Sequence, residues 1–199
     1  MARLSKFYRR VPGFRRVKRA WRSRGFGIHS PFAFRFVTAV LRERGEYYGY
    51  QELRKSCPGK REFRKASLLF RLVCEFIPDT VILDPELGQS MQSAVRIADS
   101  RACVLAPSAI DVAFPLPERT MLVCSSSFIS RICDGASRES EIISAVMVNG
   151  GTVVVFGLDR KDFPVIKSLM KDGMTFTDRH TYIFVNRQDL PRQDFEINF

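Results

Sequence analysis

The chain has 199 residues, of which 45% are apolar and 27% charged, enough for one domain with a real core and too few for two sizeable ones. No apolar run reaches the roughly 18 residues that cross a bilayer, and no apolar block follows the first positive charges as in a secretory leader, so a cytoplasmic location is expected. The formal net charge of +11 is local: residues 1–24 hold ten Arg or Lys and no acid, while the rest of the chain carries 22 bases against 21 acids.

The basic arm, residues 1–24, interleaves Phe7, Tyr8, Phe14 and Trp21 with its cations, and Pro12-Gly13 divides it into two pieces too short to be stable alone. Guanidinium groups beside aromatic rings suit phosphate pairing plus base stacking, so nucleic acid is one partner to consider. An anionic membrane surface, an acidic protein face or a structural extension docked on the protein itself are the others.

Next comes "GFGIHSPFAF", residues 25–34. Ser30 can cap a helix and Pro31 suits its first position, after which Phe32, Phe36, Val37, Val40 and Leu41 share one face until Gly45. The segment reads as a hinge that joins a helical lid to the rest. His29 within it is either a general base or a side chain that orients the helix entry, and His180 reads as structural. Tyr47, Tyr48 and Tyr50 either line a substrate cleft or pack against the sheet. A second helix is expected over roughly 62–77, stopped by Pro78.

From residue 80 short apolar runs alternate with helical periodicity, the signature of parallel strands joined by crossover helices. The strands are "TVIL" (80–83), "ACVLA" (102–106), "TMLVC" (120–124) and "TVVVF" (152–156). Met91, Ala94, Val95 and Ala98 mark a helix between the first two, Ser137 opens another, and a third covers roughly 163–171. The tail "MTFT…TYIFVNR" forms an antiparallel pair at the sheet's edge. An α/β, doubly wound sheet follows. The five cysteines show no C-x-x-C spacing and read as reduced packing residues, most of them buried.

In such sheets ligands gather beyond the carboxyl ends of the strands. Behind the first strand lies "DPELGQSMQS", residues 84–93, where Gly88 lets backbone amides approach a ligand at a helix start. The runs "GFGIHSPFAFRFV…YYGY", "LLFRLVCEFIPDTVILDPELGQSMQSAVRIA" and "TYIFVNRQDLPRQDFEINF" resemble a bacterial family of class I S-adenosylmethionine-dependent methyltransferases with a G-x-G-x-HSPF segment. That resemblance implies a Rossmann-like methyltransferase sheet in residues 79–199, forming one unit with a helical cap over 25–78. It implies methyl transfer from S-adenosylmethionine, with Asp84, Glu86, Gly88 and Ser90 at the cofactor and His29 and Tyr48 facing the acceptor.

The chain also departs from the family pattern. Gln92 stands where a second glycine is expected, and its Cβ would crowd the cofactor. Ala106-Pro107-Ser108 replaces the acid that accepts the ribose hydroxyls. Only thirteen residues, three of them proline, separate Ala106 from Thr120, too few for a crossover helix and strand. One strand should therefore be missing, leaving "ACVLA" at an open edge where self-association is favoured. "CSSS" (124–127) and "FGLD" (156–159) lack the acids a metal would need, so no metal site is expected. Two functions follow: a divergent methyltransferase, or a noncatalytic descendant that acts as a scaffold or binds an anionic partner.

Overall fold

A computed structural model describes residues 17, 19–111, 116–135, 137–159, 162–169, 173–187 and 189–199. Most of the basic arm lies outside the described residues; only positions 17 and 19–24 are within them.

Seven strands form one mixed sheet: β1 Thr80–Leu83, β2 Cys103–Leu105, β3 Thr120–Ser125, β4 Thr152–Phe156, β5 Met174–Thr177, β6 Thr181–Val185 and β7 Gln193–Glu196. Their order is β2-β1-β3-β4-β6-β5-β7. β2, β1, β3 and β4 run parallel, whereas β6 runs against both of its neighbours. The first four fall on the expected apolar runs; β1, β3 and β4 do so because they are covered on both faces and carry little polar alternation, whereas β2 is an edge strand, exposed at Cys103 and half-buried at Val104 and Leu105. β1 and β4 are buried at every residue.

The expected C-terminal hairpin is present, but it is not the edge. β7 adds outside β5 in parallel register, pairing Phe176 with Phe195. Its sequence, QDFE, has one core-facing side chain: Phe195 is buried and stacks on Phe176 with centroids 5.1 Å apart. A strand with a single apolar anchor gives almost no period-two signal. At the opposite end β2 is an edge strand, and along the chain no strand is described between Leu105 and Thr120.

Helices cover both faces. On one lie α1 Pro31–Arg35, a π-helical turn Phe36–Leu41, α2 Gly49–Ser56, α3 Lys60–Phe76 and α4 Gln89–Ala98. On the other lie α5 Ser126–Cys133, α6 Ser137–Val148 and α7 Phe163–Leu169. The helix start at Ser30-Pro31 forms as its residues require, with Ser30 Oγ accepting from the Ala33 amide at 3.3 Å. It then widens: the Arg42 amide donates to the Val37 carbonyl five residues back, at 3.1 Å. The wide turn buries both Phe36-Val37 and Val40-Leu41. Phe36 meets Phe76 of α3 and Phe176 of β5, so residues 28–73 and the strands share one apolar cluster.

Two helices escaped sequence reading, α2 and α5; each is eight residues long, with two buried side chains, too short to establish a period. The cysteines also differ from expectation. Only Cys124 is buried, while Cys74, Cys103 and Cys133 are exposed. Among the described residues no helix is long and apolar enough to cross a membrane.

Candidate functional site

Strand order reverses between β1 and β3, and a cleft of about 1710 Å³ opens there, at the carboxyl ends of β1, β3 and β4. One wall is the turn after β1 with the start of α5. The other is the N-terminal helical layer, chiefly α3 and the segment before α2.

The β1 wall is built around two acids. Asp84 is buried and caps a 3-10 turn, Pro85–Leu87. Its Oδ1 accepts from the Glu86 amide at 3.2 Å, and its Oδ2 accepts from the Ser125 amide at 3.1 Å and Ser125 Oγ at 2.6 Å. Glu86 is more exposed. It lies 3.1 Å from Ser125 Oγ, accepts from Ser127 Oγ, and takes a charged hydrogen bond from Arg131 Nη1 at 2.9 Å. Ser125 has one hydroxyl proton, so it can serve only one of the two carboxylates at a time. Ser127 and Arg131, followed by Ser125, hold the Glu86 carboxyl below its ordinary value. Arg131 is in turn fixed by Glu139, with Nε 2.9 Å from Oε1.

The serines of "CSSS" explain the lack of acids there. Ser125 and Ser127 stand at the β3 end as donors to Asp84 and Glu86, where a further carboxylate would repel both. Ser125 also caps α5, its Oγ accepting from the Phe128 amide at 3.4 Å. Beside them the buried Cys124 thiol is pushed well above its ordinary value, first by burial and then by Asp84, which makes it an inert packing group.

Gly88 closes the turn at φ 83°, ψ 172°, a region almost restricted to glycine, and starts α4 without any side-chain cap. A Cβ built there meets nothing within 4 Å, so backbone conformation and not crowding demands the glycine. Ser90 is buried and its hydroxyl donates to Glu62 Oε1 of α3 at 3.4 Å. Glu86, Gly88 and Ser90 all line the cleft. Gln92 does not; it lines a separate depression of about 480 Å³ with Glu52 and Lys55.

His29 and Tyr48 are both exposed, and neither is among the described residues lining the cleft. The histidine that does line it is His180, at the start of β6, whose carbonyl accepts from the Gly157 amide at 2.6 Å and whose amide donates to Asp178 Oδ1 at 2.9 Å. Tyr50 is buried edge-on against Phe63 and Phe70, and its hydroxyl accepts from Arg71 Nη1 at 3.0 Å. Tyr47 packs on Tyr50 and Phe70. Ala106, Pro107 and Ser108, beyond β2, contribute nothing to the cleft lining described. Among the described residues no group of three or more His, Cys, Asp or Glu could hold a metal ion.

Sequence reading missed the second wall. Arg61, Arg64, Leu68 and Arg71 recur at i, i+3, i+7 and i+10 on α3, and all four line the cleft. The spacing was visible in "KREFRKASLLFR", but a basic stripe beside an apolar one reads as the solvated face of an ordinary amphipathic helix. Ser127 and Arg131 were missed because α5 itself was. Comparison with protein-family models, with curated proteins and with solved structures finds no match.

Proposed function

We propose that the chain is a noncatalytic, methyltransferase-like scaffold, with a sheet of S-adenosylmethionine-dependent type whose strand-end cleft does not take that cofactor. The sheet supports the ancestry: four parallel strands lead to one reversed strand, β6, inserted between β4 and β5, and nothing is described outside β2. Such an order agrees with what the resemblance implies, with no strand described beyond β2 and with β7 added beyond β5.

One observation carries the noncatalytic reading. The two acids that the resemblance assigns to the cofactor are already engaged by protein donors, Asp84 by Ser125 and the Glu86 amide, Glu86 by Ser127 and Arg131. A cofactor ammonium would have to displace Arg131, a partner that costs nothing to bring. Among the described residues no carboxylate from the end of β2 lines the cleft to receive ribose hydroxyls, a loss worth about 1.5–3 kcal/mol.

Thermal unfolding with S-adenosylhomocysteine tests this. At millimolar ligand a site of about 10 μM affinity would add about 2.7 kcal/mol, several degrees for a chain of this size. We expect no shift with either S-adenosylhomocysteine or S-adenosylmethionine. A clear shift rejects the reading.

A second reading, an active methyltransferase, is favoured by the cleft's position at the strand switch and by Gly88 and Ser90 in its lining. It requires His29 and Tyr48, now outside the cleft, to reach the acceptor. Transfer of labelled methyl to any acceptor fraction, lost in Gly88→Arg, would establish it. Nucleic acid or another anionic partner on residues 1–24, and self-association through the β2 edge, belong with the scaffold reading; size-exclusion behaviour of the chain with and without residues 1–24 separates them.

A further inference from the structure

The N-terminal side of the cleft, α3 and the segments before it, carries positive charge that no acid among the described residues pairs with. Arg24, Arg42, Arg44, Arg61, Arg64 and Arg71 all line it, and among the described residues none of the six has a carboxylate within 4.0 Å. Of the four acids of the same cleft, Glu86 is paired with Arg131 and Glu62 with Lys65 at 3.8 Å, while Glu43 and Asp178 accept from backbone amides and keep their charge, two carboxylates against the six arginines.

Two of the arginines are held in place by neutral acceptors. Arg71 donates Nε to the Val40 carbonyl at 2.7 Å and Nη1 to Tyr50 Oη at 3.0 Å, and Arg42 donates Nη1 to the Ser23 carbonyl at 2.9 Å. Such bonds fix a guanidinium without cancelling its charge, so the groups are preorganised for an anion that is supplied from outside. Across the cleft the uncapped amides at the start of α4 add a partial positive charge.

We propose that this cleft binds the phosphates of a nucleotide chain, with the cation stripe of α3 as the phosphate-holding wall. Concavity argues against a bilayer, which is flat and would reach only the rim. An aromatic pair argues for bases. Trp21 and Phe26 are 63% and 60% exposed, lie 5.7 Å apart, and belong to the same segment as the cleft residues Ala20, Ser23 and Arg24. Exposed rings beside arginines are platforms on which bases stack. The inference holds whether or not the methyltransferase-like ancestry does, since it rests on the charge and shape of the cleft and on the neighbouring rings.

The test is a titration of the full chain with a fluorescently labelled short single-stranded RNA, repeated with a nucleoside triphosphate as competitor and with anionic phospholipid vesicles. Trp21, the chain's single tryptophan, gives a second readout. Arg61 and Arg64 are both exposed, so the double variant Arg61→Ala/Arg64→Ala should fold, which its melting curve verifies. We expect RNA to bind at low salt with Trp21 quenching. The double variant should bind about tenfold more weakly, with a salt slope smaller by about 1.4, which is two phosphate contacts at about 0.7 each.

RNA binding far more tightly than triphosphate would mark a strand site and support the proposal; triphosphate that displaces RNA at similar concentration would mark a mononucleotide site and overturn it. No binding of either at low salt would overturn it. So would vesicle binding without nucleotide binding, or RNA binding that the double variant leaves unchanged and removal of residues 1–16 abolishes.

Discussion

The two walls of the cleft face each other across the carboxyl ends of the strands and handle charge in opposite ways. On the β1 side the exposed charges are paired, Glu86 with Arg131 and Arg131 again with Glu139, and the buried Asp84 is held by the Ser125 amide and hydroxyl. On the α3 side Arg61, Arg64 and Arg71 have no acid partner among the described residues. A matched wall contributes to folding and leaves little for a ligand. An unmatched wall costs folding a little through self-repulsion and keeps its attraction for an anion.

Breaking the matched wall should have the largest effect. Asp84→Ala leaves the Ser125 and Glu86 amides without their acceptor in a partly buried place while the Ser125 hydroxyl can turn to Glu86, and we expect a loss of about 1–3 kcal/mol in urea unfolding. Stability within about 0.5 kcal/mol of the parent would mean that the acid is not the turn's anchor. Of similar size, Gly88→Ala should cost about 1–3 kcal/mol, wholly from backbone strain at φ 83°, because its Cβ has free space. A neutral result would show that the turn relaxes readily.

Glu86→Gln sharpens the comparison through pH. The folded carboxyl is held below its ordinary value of 4.5, so the group stabilises the fold above that pH and loses this contribution as pH falls through the lower, folded value. The parent should therefore be the more stable protein near neutrality, and the two unfolding curves should converge under acid conditions. A difference that is constant with pH would assign the effect to shape and not to charge.

The smallest effect carries the opposite sign. Arg64→Gln, on the unmatched wall, should change stability by no more than about 0.5 kcal/mol, on the stabilising side at low salt and fading as salt is added. Destabilisation that persists in high salt would reveal a partner for Arg64.

How far these walls could be read from sequence follows from the same contrast. β1, β3 and β4 were legible because strands buried on both faces spell continuous apolar runs, and α1 was legible because Ser30-Pro31 is a chemical start signal. β7 was not, since pairing to β5 is a backbone affair in which only Phe195 shows. Asp84, Glu86, Gly88 and Ser90 were found as a cluster because they are adjacent in sequence. Their partners Ser125, Ser127 and Arg131 lie about forty residues away, and only the sheet brings them together. His29 was singled out for its chemistry, yet His180, from the far end of the chain, is the histidine that lines the cleft. Arg61, Arg64 and Arg71 were in view as a stripe, but whether such a face meets solvent or a cleft is decided by tertiary packing.

The most direct measurement is a calorimetric titration of the full chain with S-adenosylhomocysteine, carried to millimolar concentration. We expect no saturable heat, because Asp84 and Glu86 already have their partners. Saturable binding at one site per chain, abolished by Gly88→Arg, would contradict that and restore the cleft to a cofactor.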